Sequence, residues 1–273
     1  MTRIPRPVPE GRSNARQECR SRAHSERGPA ADGCSPQWPG HFPGRAFFER
    51  PPERVAPELL GMILAVRAQN EILAGRIVEA EAYLGPHNRP PDPAAHAFRG
   101  ITPRNRVLFG PAGHAYVYAI YGRYFCMNVS CESEGRAGCV LLRALEPLQG
   151  RAAMARNRSR TASARPAELT SGPSRLCQAL GLTRVTHNAL DLLDPESPLQ
   201  LREDGFSARE VLVSPRIGIK DAVDWPLRFA LPENACVSGP KNLSGKRFSP
   251  ASAEIEKFLH RMQEKTNSPK ERT

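Results

Sequence analysis

The sequence predicts a mixed α+β fold: one domain with a mainly antiparallel, curved β-sheet flanked by helices. Three observations predict it. Apolar segments of strand length recur between Met62 and Leu145. Turn-rich loops separate them where a parallel sheet would need long crossover helices. From Arg76 to Ala144, polar and aromatic residues alternate with aliphatic ones at a period of two, as on strands with two distinct faces.

The elements follow in chain order. Residues from Met1 to Pro43 are dense in Arg, Ser, Pro and Gly without a hydrophobic period, so 1–43 is expected to be a disordered basic tail. Phe47–Leu60 has helical apolar spacing, and Gly61 can end it. Met62–Val66, Ile72–Leu84, Ala115–Ile120, Tyr124–Ser130 and Cys139–Leu145 are expected as strands. Leu148–Asn157 and Ser174–Leu180 are the expected helices, the second opened by the turn Ser171-Gly172-Pro173 and capped by Ser174. Val211–Val213, Arg216–Ile219 and Leu227–Leu231 are expected as late strands. The domain is expected over 44–243. Residues 244–273 form a basic tail in which Ala253–Met262 has the spacing of a short amphipathic helix.

Bulk properties narrow the function. The 273 residues carry a formal charge of +11. That charge fits a polyanionic partner and, equally, a soluble basic surface with basic ends. Seven scattered cysteines, none in CxxC spacing, favour reduced thiols in a cytosolic compartment over a zinc site or disulfide framework. The longest apolar run, Met62–Val66, is too short for a membrane span. No GxGxxG, Walker loop or internal repeat is present.

The chemistry concentrates in two segments that hold all five tyrosines. In RIVEAEAYLG, Val78, Ala80, Ala82 and Leu84 take one face, leaving Ile77, Glu79, Glu81 and Tyr83 on the other. Alternate residues project about 6.6 Å apart, so Glu81 lies between a second acid and an aromatic ring. A carboxylate beside an aromatic wall suits general-base activation of water; surface glutamates on a solvent-facing strand would give the same pattern. In HAYVYAIYGRYFCMN, Tyr116 and Tyr118 share a face, and Tyr121-Gly122 form a two-residue turn. A tyrosine at that tip is either part of a surface cluster or a wedge for a base stack.

Three further residues stand out. Asn128 falls within a hydrophobic run, as a satisfied core amide or as a pocket group. Arg143 interrupts VLLRALEP and needs an anionic partner, with Glu81 and a ligand both eligible. His96 lies on a Pro- and Gly-rich loop, and Ile101–Arg106 (ITPRNR) has a composition suited to phosphate.

Together these segments resemble the alkyladenine (3-methyladenine) DNA glycosylases. The matching strings are RIVEAEAYLGP, AAHAFRG, TPRN, VLFGPAGHAYVYAIYG, CMNV, VLLRALEP, SGPSRLCQALG, SPRIGI and LRFAL, in family order from Phe47 to Ser238. The loop Pro86–Pro93 and the segment Cys131–Gly138 depart from the pattern, and the first bears on where His96 lies. The resemblance implies a fold without a helix-hairpin-helix. It implies catalytic roles for Glu81, as the base that activates water, and Arg143, which helps hold that water. Tyr83, His96 and Tyr118 would form the slot for the damaged base. Asn128 would disfavour guanine through its exocyclic amino group. Tyr121 would fill the gap left by the flipped nucleotide, and Thr102, Arg104 and Tyr124 complete the expected DNA-binding set.

The implied activity is hydrolytic excision of alkylated or deaminated purines from damaged double-stranded DNA, leaving an abasic site. No cofactor or metal is expected, and no lysine lies among the matched pocket residues, so no Schiff base is expected. The expected form is a monomer without a membrane partner, in the cytoplasm on the nucleoid if bacterial and in the nucleus if eukaryotic. A catalytically silent lesion sensor is the alternative, disfavoured by intact Glu81 and Arg143. A carbohydrate glycosidase using Glu79 and Glu81 would leave the tip tyrosine and the basic charge unexplained.

Overall fold

A strand of thirteen residues, β2 (Glu71–Tyr83), organises the computed structural model, which describes residues 37–239 and 245–267. Along one edge β2 pairs with β5 (Gly138–Gln149). Along the other it pairs first with β1 (Ile63–Ala68) and then with β8 (Arg228–Ala230). The sheet continues through β4 (Tyr124–Cys131) to β3 (Ala115–Ile120) on one side. On the other it runs through β7 (Val211–Ser214) to β9 (Lys246–Phe248), while β6 (Leu199–Arg202) pairs with β1. Every pairing is antiparallel. Register shifts in β2 at Ala74/Gly75, Ile77/Glu79 and Glu79/Ala80 are of the kind that bend a strand and increase its twist.

The predicted face of β2 holds for its second half. Val78, Ala80, Ala82 and Leu84 enter the main core with Val117, Met127, Val129, Val140 and Leu142. Ile77, grouped by alternation with the polar face, joins that core too, because the register shift beside it resets the alternation. Four helices add residues to this core, α1 (Pro52–Leu59), α2 (Arg151–Asn157), α3 (Pro166–Thr170) and α4 (Pro173–Ala179), and the short α5 (Arg184–His187) contacts β3.

Several boundaries differ from expectation for local reasons. The first helix is split into a 3-10 turn, Arg45–Phe47, and α1, because Pro52 forces Pro51 into an extended conformation. The expected helix from Leu148 starts only at Arg151. Gly150 is left-handed (φ +75°), and a Cβ there would meet the backbone oxygen of Ile72 at 2.9 Å. Arg216–Ile219 is a loop, not a strand, since its groups turn inward to bond the site.

The ends also carry structure. Residues 1–36, 244 and 268–273 of the expected tails lie outside the described residues. Within the first, Trp38 packs beneath the guanidinium groups of Arg67 and Arg202, and His41 bridges to Glu203. Beyond 244, β9 pairs with β7, and α6 (Ala253–Asn267) buries Ile255 and Leu259 in the core. No helix among the described residues is long and apolar enough to cross a membrane.

Candidate active site

One rung of the sheet runs Tyr116–Asn128–Leu141–Glu81–Arg228 across β3, β4, β5, β2 and β8. Cross-strand partners project to the same face, so strand pairing alone brings Glu81, Asn128 and the tyrosine ladder of β3 onto one surface. Two residues along lies the rung Ser130–Cys139–Tyr83.

Glu79 and Glu81 of β2 are both fully buried (0% exposed), which excludes ordinary surface acids. Their surroundings differ. Glu79 Oε1 accepts from Arg143 Nε at 2.9 Å, Arg228 Nε at 2.6 Å and Ser238 Oγ at 3.0 Å; its Oε2 accepts from Ser238 N–H at 2.6 Å. It is saturated. Glu81 Oε1 accepts from the Ile217 N–H at 2.8 Å and lies 3.2 Å from Arg143 Nη1. Among the described residues its Oε2 accepts only the Tyr83 hydroxyl, at 3.0 Å. Arg143 therefore takes both acids as partners, through different nitrogens of one fork.

The aromatic groups form a continuous wall. Tyr116 and Tyr118 stack at 5.2 Å, and the His96 ring meets Tyr118 edge-on at 4.6 Å. His96 Nδ1 hydrogen-bonds the Tyr116 hydroxyl at 3.0 Å. Burial, and next the charge of Glu81, push the Tyr83 phenol far above its usual range, so it stays a donor. Burial does the same to Tyr118. Burial, and then the Arg104 charge, lower His96 below its ordinary 6.5, so the imidazole is neutral at pH 7. On the buried Asn128, Nδ2 has no hydrogen-bond partner among the described residues. The amide is thus incompletely satisfied within the fold, and an orphaned buried donor costs about 1–3 kcal/mol.

The hairpin tip differs from the expected two-residue turn. Pairing ends at Ile120 and Tyr124, so Tyr121, Gly122 and Arg123 all lie in the loop, with Tyr121 at φ +48°. Its side chain is 89% exposed. Tyr124 is partly buried beneath the Arg123 guanidinium, 4.8 Å from its ring. Exposed Arg104 approaches the Tyr118 ring to 5.4 Å. Thr102 donates its N–H and hydroxyl to Asn105 Oδ1 at 2.6 and 2.9 Å, which braces the loop.

The proline-rich loop before His96 is anchored at both ends. Buried Asp92 accepts from the N–H of Leu84 and Ala94 and pairs with Arg216, Nη2 to Oδ1 at 3.0 Å. Asn105 Nδ2 donates to the His96 carbonyl at 2.8 Å. Among the described residues no three His, Cys, Asp or Glu side chains converge as a metal site requires.

Residues 46–235 match the family model described as methylpurine-DNA glycosylase. The chain belongs to the methylpurine-DNA glycosylase family. It is accordingly an enzyme, a hydrolase of N-glycosyl bonds in DNA. Relatives named "Putative 3-methyladenine DNA glycosylase" include one from Koribacter versatilis, 50% identical over 75% of this chain and 93% of its own length. One from Rhodopseudomonas palustris is 45% identical over 78% and 95%, and one from Methanoculleus marisnigri is 46% identical over 71% and 96%.

Sequence reasoning missed part of this glycosylase's site. Arg228 and Arg216 lie in the strings LRFAL and SPRIGI, and a charged residue interrupting an apolar run is the signal that exposed Arg143. Arg216 also stacks 4.6 Å from the Tyr83 ring. Tyr116, recognised as Tyr118's neighbour, fixes His96. No sequence signal marks the backbone N–H of Ile217 or of Ser238.

Proposed function

We propose that this glycosylase rotates an alkylated or deaminated purine, 3-methyladenine above all, out of duplex DNA and hydrolyses its N-glycosyl bond, leaving an abasic site for base excision repair. Glu81 is the general base. Water attacks C1′ of the extruded nucleotide, its proton passes to the Glu81 carboxylate, and the bonding pair leaves with the purine. Arg143 holds that water against the sugar. Tyr83, His96 and Tyr118 enclose the base, whose positive charge when alkylated favours electron-rich rings and makes it a good leaving group.

The observation that carries this reading is the environment of Glu81. It is a buried carboxylate held by Tyr83, Ile217 N–H and Arg143, on the rung that also bears Asn128 and beside the Tyr116–Tyr118–His96 wall. Glu79 is saturated and so is not the base. Neutral His96 suits a slot for a cationic purine better than an imidazolium would. Asn128 rejects guanine by crowding its amino group. Tyr121 fills the vacated stack, while Thr102, Arg104 and Tyr124 meet the backbone nearby. The enzyme acts as a monomer on DNA of the cytoplasmic nucleoid.

Incubation with methylated duplex DNA tests this. The parent should release 3-methyladenine and leave alkali-labile sites, and Glu81→Gln should lose at least about 10²-fold in rate, as general bases do, while still binding lesion DNA. Undiminished release by Glu81→Gln would remove Glu81 from the role.

A further inference from the structure

Arg143 has one guanidinium and two buried acids to serve. Glu79 and Glu81 project from the same face of one strand, and neither is exposed. An arginine beside a carboxylate prefers the two-nitrogen fork, and Glu79, 2.9 Å from Nε, is the nearer acid. Unopposed, Glu79 would draw the whole Nε–Nη2 edge of the guanidinium, whose Nη2 now donates to Ser238 Oγ at 3.3 Å, and turn Nη1 away from Glu81.

A second guanidinium prevents this. Arg228 stands opposite Glu81 in the β2–β8 register but directs Nε diagonally to Glu79 Oε1, at 2.6 Å. Its other nitrogens are tied down, Nη1 to Ser214 Oγ at 3.3 Å and Nη2 to the Ser238 carbonyl at 2.7 Å. It cannot follow Glu81 or reach solvent, being 2% exposed. The buried set then holds two anions and two cations. The remaining charged pair nearby, Arg216 from the loop after β7 with Asp92, is internally neutral, and the other titratable neighbour on β2 is the protonated Tyr83.

We propose that Arg228 is a positioning residue for excision: by satisfying Glu79 it leaves Arg143 spanning the two acids, with Nη1 held at Glu81. The proposal rests on Glu81 being the base. It assigns Arg228 no contact with DNA, so it concerns rate and not affinity.

The test compares Arg228→Gln, Arg228→Lys and the charge-balanced double variant Glu79→Gln/Arg228→Gln. Single-turnover release from methylated duplex DNA is followed across pH, with DNA affinity and thermal midpoint measured for each. Arg228→Gln should lose about 10–100-fold in rate, on the scale of a misaligned general base, at unchanged affinity. The acid limb of its profile should move to higher pH, because Glu81 has lost its cationic neighbour. Arg228→Lys should recover part of the rate. The double variant should exceed Arg228→Gln by roughly tenfold, since no excess anion remains to capture Arg143. Parental rates in Arg228→Gln, or a double variant no faster than the single one, would overturn the proposal. If Arg228→Gln does not fold, Arg228→Lys decides: a several-fold slower rate at unchanged affinity supports the proposal, and a parental rate overturns it. Full activity of Glu81→Gln would mark failure of the base assignment instead.

Discussion

Tyr83 donates its hydroxyl to Oε2 of Glu81 at 3.0 Å, two residues along the same strand face. The ring that walls the proposed slot is thus also the group that fixes the second oxygen of the proposed base. Stacking and chemistry share one side chain, and a substitution can separate them.

Tyr83→Phe retains the ring and removes the bond. Single-turnover excision should fall by about 2- to 10-fold, the scale of one lost hydrogen bond of 0.5–1.5 kcal/mol, with affinity for lesion DNA nearly unchanged. A matched loss of affinity would show that the hydroxyl serves binding.

Tyr121 buries almost nothing, so Tyr121→Ser should leave the unfolding midpoint where it is. Stacking of an aromatic on a base contributes roughly 1–3 kcal/mol, so flipping should weaken by about 10–100-fold. The defect should shrink for mismatched lesions, which flip easily. Parental rates on well-paired and mismatched lesions alike would show that Tyr121 is no wedge.

Asn128→Ser shortens the side chain beneath the proposed slot and removes the orphaned Nδ2. Release of normal guanine should rise, as read by mass spectrometry of the supernatant. Guanine release at the parental level would count against the steric role.

Glu53 gives a pH dependence remote from the site. Burial, foremost among its causes, raises its carboxyl from 4.5 to about 7. The folded chain therefore keeps a proton there that the unfolded chain releases between these values. Its contribution to stability is present in full below pH 4.5 and is lost as pH rises through 7. Glu53→Gln should match the parent near pH 4.5 and exceed it at pH 8 by about 3 kcal/mol. Urea titrations at the two pH values measure this, and equal differences at both would refute it.

The sequence by itself determined the parts that depend on local period. Alternation put Glu81 and Tyr83 on one face and Val78, Ala80 and Ala82 in the core, and it found the hairpin carrying Tyr118, Tyr121 and Asn128. Its ordered motifs also carried the family. What only the tertiary structure decided is the division of labour between chemically identical groups. Glu79 and Glu81 look interchangeable on the strand, and become different because Arg228 and Ser238, about 150 and 159 positions away, reach one and not the other. Arg216–Ile219 reads as a strand, yet turns inward because Asp92 and Glu81 claim its guanidinium and its N–H. Ile77 changes sides because a bulge resets the alternation. Such contacts bring together residues far apart in the chain, so no local pattern encodes them; they exist only once the sheet is assembled.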